Sequence, residues 1–185
     1  MICFPNPGKE NTAEAIRIAL EAAQTRKLDL VAATTRGGTA VELVKAAQAA
    51  NFDGQIVIVS HAYRAGGNTM PAETRQWLEA QPNVRVVTAA HALSGAERGI
   101  SAKFSGIYPV ELVAHTLRML GQGMKVCVEI ALMAADCGSV PTDRPVICIG
   151  GTGSGADTAC VLTPTYSATL MEMKVHELLC KPALL

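Results

Sequence analysis

Three polar segments carry most of the side chains that could do chemistry. The first, Thr34-Thr35-Arg36-Gly37-Gly38-Thr39, offers three hydroxyls, two glycines and a guanidinium. Between a strand and a helix start, such a turn aims backbone N–H groups and the positive helix end at an anion. A tight turn with Thr39 as helix cap is the competing account. The second, Gly150–Thr158 (GGTGSGADT), satisfies the loose GxGxxA spacing of a dinucleotide fingerprint through Gly151, Gly153 and Ala156. That fingerprint needs a helix directly after it, whereas Asp157–Thr163 has strand character and Pro164 follows. The segment also lacks a Walker A lysine. What remains is a donor-rich loop of Gly151, Thr152, Gly153, Ser154 and Gly155, suited to an oxyanion or a polar ring edge. Asp157 can bind a ribityl or sugar hydroxyl, or merely cap the turn, and Thr158 beside it is a further candidate contact. The third segment runs from His91 through Ser94, Gly95, Glu97 and Arg98 to Lys103 and Phe104. Ser94 and Glu97 have capping-box spacing. His91 with Ser94 could form a nucleophile pair, but no GxSxG elbow surrounds Ser94. Arg98 and Lys103 are the expected anion contacts.

The remaining titratable groups are less promising. Glu129 and Asp136 lie seven apart on the apolar stretch Met124–Cys137, on one face; a buried carboxylate there would need a partner, and a solvated stripe is the favoured account. His61 sits at a strand end and is a candidate cofactor contact, but neither it, His115 nor His176 has ligand spacing to another histidine, so no metal is expected. The six cysteines form no CxxC pair, and most lie in apolar runs such as Val126-Cys127-Val128. Reduced, structural thiols in a cytoplasmic protein are the reading.

These segments need a scaffold, and the composition supplies one. The 185 residues are 49% hydrophobic and 17% charged, enough apolar surface for one core and too much for disorder. Aromatics are only 4%, so that core is aliphatic. Zero formal net charge, evenly distributed, argues against a nucleic-acid or acidic-membrane footprint. The N-terminus lacks a signal-peptide pattern, and no window has the apolar length of a membrane span. One domain over residues 1–185 is expected.

The spacing predicts helices from Asn11 (as cap, with Glu14) to Lys27, from about Val41 to Asn51, after Pro71, over Pro109–Leu120 and over Met124–Cys137. Short apolar runs predict strands at 28–34, 55–60, 83–88, 144–150 and 159–163, with a further one at 171–175. A polar loop, His61–Thr69, follows the second of these. Strands alternating with helices imply βαβ units and a mostly parallel sheet covered on both faces. In such a sheet, ligands bind beyond the carboxyl ends of the strands, where all three polar segments fall.

The residues Thr34-Thr-Arg-Gly37-Gly-Thr39-Ala40 resemble the phosphate-holding turn of the C-terminal α/β domain of pyruvate kinase. Gly153-Ser-Gly155 before a final strand resembles the glycine loop that closes over the same effector. The runs His91-Ala-Leu-Ser-Gly, Lys125-Val-Cys-Val-Glu-Ile and Gly150-Gly-Thr-x-x-Gly-Ala-Asp-Thr are similar to a stand-alone prokaryotic family of pyruvate kinase C-terminal-domain-like proteins. The resemblance covers nearly the whole chain. It implies a three-layer α/β/α sandwich with one or more late antiparallel strands, and it implies flavin mononucleotide (FMN) as ligand. Phosphate would sit at Thr34–Thr39, and the ribityl chain or ring near Ser94–Arg98 and Gly150–Thr158. Gly38 stands where the pyruvate kinase turn has a basic residue, which moves the anion contact to Arg36 or to backbone amides. The catalytic barrel of pyruvate kinase has no counterpart here, so pyruvate kinase activity is not expected.

Three functions follow as expectations. The first is a phosphate-ligand-binding protein for FMN, of regulatory or redox role, with Phe104, Tyr108, Tyr166 and Trp77 as the aromatics available to stack on a ring. The second is an enzyme acting on a phosphorylated metabolite, with His91, Glu97 and Arg98 at the reacting centre. The third is an assembly module that kept only the fold. A homo-oligomer is expected, with the apolar Met124–Cys137 helix as the interface.

Overall fold

Alternation of side chains along four strands builds the centre of the protein. In β2 (Leu30–Ala33), Leu30 and Ala32 face one side while Val31 faces the other. In β3 (Ile56–His61), Ile56 and Ile58 oppose Val57 and Val59. In β5 (Val146–Gly150) and β6 (Thr158–Thr163), Ile147, Ile149, Ala159 and Val161 oppose Val146, Cys148, Cys160 and Leu162. Both faces are apolar, so both must be covered. The computed structural model describes residues 1–63 and 65–183 and shows how; residue 64, inside the expected His61–Thr69 loop, lies outside them.

With β1 (Ile2–Phe4), β4 (Val84–Ala89) and β7 (Lys174–Pro182), the strands form one seven-stranded sheet in the order β1-β7-β6-β5-β2-β3-β4. Only β6 runs against the others, pairing antiparallel with β5 and β7. Helices α1 (Thr12–Arg26), α2 (Gly38–Ala49) and α3 (Ala72–Glu79) cover one face. Helix α6 (Gln122–Asp136) covers the other, with α5 (Pro109–Arg118) packed on it and α4 (Gly95–Phe104) on α5. The fold is therefore the expected three-layer α/β/α sandwich. Consecutive strands β2, β3 and β4 step outward in one direction, and the chain then returns to place β5 on the other side of β2. The carboxyl ends of β2 and β5 therefore flank the point where strand order reverses, the place where open α/β sheets form a crevice.

Several local expectations are corrected. Asn11 does not cap α1 through its side chain; its amide donates to the Asn6 and Gly8 carbonyls instead. Glu14 is drawn to Arg17 rather than back to the helix start. Thr39 lies inside α2, whose cap is Gly37 in a left-handed conformation, φ +92°. A Cβ there would also meet Thr74 Cγ2 at 2.4 Å, so only glycine lets α3 come this close. The strand expected at 171–175 is shifted: Ser167–Glu172 is a 3-10 turn, and β7 begins at Lys174. Strand β1 was not expected at all. The Met124–Cys137 region is no exposed interface either, since every α6 residue from Gly123 to Ala135 is buried except half-buried Val126. Cys127, Cys148, Cys160 and Cys180 are buried and unpaired, and burial pushes the Cys127 and Cys148 thiols well above their ordinary range. Among the described residues, no helix is long and apolar enough to cross a membrane.

Candidate functional site

A cleft of about 1000 Å³ opens at the carboxyl ends of the parallel strands. That volume lies at the upper end of the range for small-molecule sites. The segment after β2 contributes Thr34, Thr35, Arg36, Gly38 and Thr39, the loop after β5 contributes Gly151, Gly153, Ser154 and Gly155, and His61 ends β3. His91 and Ser94 enter from the β4–α4 connection and Arg98 from the first turn of α4. The topology thus brings the three polar segments of the sequence to one place.

Thr34 is buried, and its hydroxyl accepts the Gly37 N–H at 3.1 Å, holding the turn that opens α2. The glycine loop is held from below by Asp157, which is fully buried. Asp157 Oδ2 accepts N–H groups from Thr152 and Gly8, and Oδ1 accepts the Thr158 hydroxyl. Gly155, at φ +74°, packs so tightly that a Cβ would lie 2.3 Å from Thr12 Oγ1. Neither Asp157 nor Thr158 reaches the cleft wall, and of the two readings open for Asp157 the structure shows the one that closes the turn. Thr152, whose backbone N–H donates to Asp157, does not line the cleft either.

Glu97, Gly95 and Gly37 also stay off the wall. The Glu97 carboxylate accepts the N–H groups of Val110 and Glu111, capping α5 from outside, so it does not join His91 at a reacting centre. Ser94 heads α4 without a side-chain cap bond, which corrects the expected capping box. Lys103 sits over the Phe104 ring at 5.4 Å rather than in the cleft. Phe104, Tyr108, Tyr166 and Trp77 do not line the cleft, so the rings available for stacking there are imidazoles.

Residues outside the sequence expectation complete the wall. Lys9 and Thr12 come from the approach to α1, and Glu111, His115 and Arg118 come from α5. Leu93, Ala114, Val126, Ile130 and Met133 form an apolar side. Ser60 lines the cleft with its hydroxyl buried and without a hydrogen-bond partner among the described residues. Lys9, Arg36, Arg98 and Arg118 form no salt bridge among the described residues. Among the described residues of the wall, Glu129 is paired with Lys125, which leaves Glu42 and Glu111 to oppose the four cations, so the polar end favours an anion.

The largest departure concerns Glu129, which is buried rather than solvated, 2% exposed. Its Oε2 accepts from Lys125 Nζ at 2.5 Å and lies 2.9 Å from His91 Nδ1; its Oε1 accepts the Leu93 N–H at 3.0 Å. Burial alone would raise the carboxyl pKa, but His91 and Lys125 outweigh it and hold Glu129 down at about 2. Burial likewise lowers the Lys125 pKa, against the pull of Glu129. The chain of contacts continues from His91 Nε2 to His61 Nδ1 at 2.7 Å, and from His61 Nε2 to Thr35 Oγ1 at 2.8 Å. Lys125 four residues before Glu129 on an otherwise apolar helix was the signal available in the sequence. No protein-family model matches the chain.

Proposed function

We propose that this protein binds a phosphate-bearing small molecule in the cleft, with FMN as the first ligand to test. The observation that carries the reading is the charge balance of the wall: beyond the Lys125–Glu129 pair, four cations without a salt bridge among the described residues share the cleft with Glu42 and Glu111. The orphaned Ser60 hydroxyl supports it, because a buried polar group without a partner is costly and a ligand can supply one. Arg36 and the backbone of the α2 start would hold the phosphate, with the glycine loop beside it. Leu93, Ile130 and Met133 would hold the planar part, and Ser94 and Arg98 its polar edge. A bound flavin supplies electron chemistry, and the chain's own residues orient it and exclude water. The resemblance to stand-alone pyruvate kinase C-terminal-domain-like proteins supports the same ligand.

The test is an absorbance spectrum of purified protein with and without FMN, followed by a thermal melt. At a ligand concentration a hundredfold above Kd, native-state binding adds about 2.7 kcal/mol, a shift of several degrees. Arg36→Ala is expected to weaken binding at least about tenfold, as loss of a charge-assisted contact does. A colourless protein with no shift would exclude the flavin, and inorganic phosphate and sugar phosphates would then be titrated against the same melt.

A further inference from the structure

We propose that the cleft is also catalytic, with the Thr35 hydroxyl as a nucleophile toward phosphate monoesters. The Thr35–His61–His91–Glu129 chain has one consistent polarity when both imidazoles are neutral. An ionised Glu129 accepts, so His91 Nδ1 carries a proton and Nε2 does not. His91 Nε2 therefore accepts from His61 Nδ1–H, which leaves His61 Nε2 as the acceptor for the Thr35 hydroxyl. With these tautomers the last atom of the chain is a base 2.8 Å from an exposed hydroxyl. Nucleophile, base and orienting carboxylate in series are the general device for activating an alcohol. Lys125 pins the carboxylate, and the Thr69 hydroxyl pins the Thr35 carbonyl at 2.8 Å.

The electrophile is argued from position. Thr35 immediately precedes Arg36 and the α2 start, where the proposed function puts the phosphate; the inference rests on that reading. In the first half-reaction, Thr35 Oγ bonds to phosphorus and the ester P–O bond breaks on the opposite side. The Thr35 proton moves to His61 Nε2, and the departing oxygen takes a proton from solvent. In the second, water attacks phosphorus, its proton goes to solvent, and Thr35 Oγ leaves with the proton returned by His61. The sum is ester plus water to alcohol plus phosphate, with no redox change and no further reactant. Arg36 and the α2 N–H groups face the equatorial oxygens, which is where phosphoryl transfer gains its stabilisation.

The experiment uses p-nitrophenyl phosphate with the full chain, followed by acid quench and mass spectrometry of the tryptic peptide 28–36. Expected are turnover and a phosphoryl increment on Thr35, both lost in Thr35→Val and both kept in Thr35→Ser. His91→Gln, a change in a positioning residue, should lower kcat about a hundredfold while KM stays within about twofold. Turnover that survives Thr35→Val, a missing adduct in wild type and in Thr35→Ser alike, or cleavage of p-nitrophenyl acetate without the phosphate ester overturns the proposal. A melt shift with inorganic phosphate but no turnover overturns it and leaves the binding reading standing. Turnover without an FMN shift supports it and removes the flavin.

Discussion

Glu129 is the residue on which the site turns, because a carboxylate at 2% exposure survives only with strong partners. Its pKa falls from an ordinary 4.5 to about 2 on folding. A depressed acid stabilises the fold above its unfolded pKa, and that contribution is lost as pH falls from 4.5 toward 2. The full linkage is roughly 3 kcal/mol, of which roughly 2 is gone by pH 3. Glu129→Gln removes this dependence and leaves the Lys125 ammonium buried without its carboxylate, a loss of about 3–5 kcal/mol at pH 7. Urea unfolding at pH 7 and pH 3 is therefore expected to show the gap between wild type and variant narrowing by roughly 2 kcal/mol. A gap of constant size would mean that Glu129 is not ionised in the folded protein.

Among the elements, the glycine loop after β5 shows how a flexible sequence is made a fixed wall. Its order comes from one buried carboxylate that gathers Gly8, Thr152 and Thr158. Asp157→Ala leaves those donors without an acceptor, and the expected loss is at least about 2 kcal/mol by chemical denaturation. A loss under about 0.5 kcal/mol would show the loop to be held by something else. The strands β2, β3, β5 and β6 were legible in the sequence because central strands of a doubly covered sheet are continuous apolar runs. The three site segments were legible because glycine and threonine cluster where strand ends meet turns. Strand β7 was not, since Lys174–Glu177 are exposed beyond the short β1 and carry mixed polarity. The Glu129 relay was hidden for another reason. Its partners His91 and Leu93 lie 38 and 36 residues away, and only the packing of α6 under the β4–α4 connection brings them into reach. Spacing along α6 alone pairs Glu129 with Asp136, which instead is exposed and accepts the Ser167 N–H. Caps failed similarly: Glu97 has the spacing to cap its own helix, yet tertiary packing gives it to α5.

At the scale of the molecule, the two helical layers differ in how they meet water. Helices α1 and α2 bury an apolar stripe, whereas α4 buries no residue and α5 buries only Ala114. Ile100 and Phe104 on α4, Ile107 between the helices, Leu112 on α5 and Met119 just after it are exposed. Large exposed apolar side chains gathered on one pair of contacting helices are what a subunit interface presents before association. We propose that the homo-oligomer expected from the sequence forms through this α4–α5 face, not through α6. The same helices carry Arg98, Glu111, His115 and Arg118 into the cleft, so association and ligand binding share a support. Light scattering on purified protein should give a mass at least twice the 19.4 kDa of the chain. Leu112→Lys with Met119→Lys should return it to monomer, with ligand affinity falling in parallel as α5 loses its backing. A wild-type monomer at micromolar concentration removes the interface, and a variant that dissociates yet binds ligand as before separates the cleft from assembly.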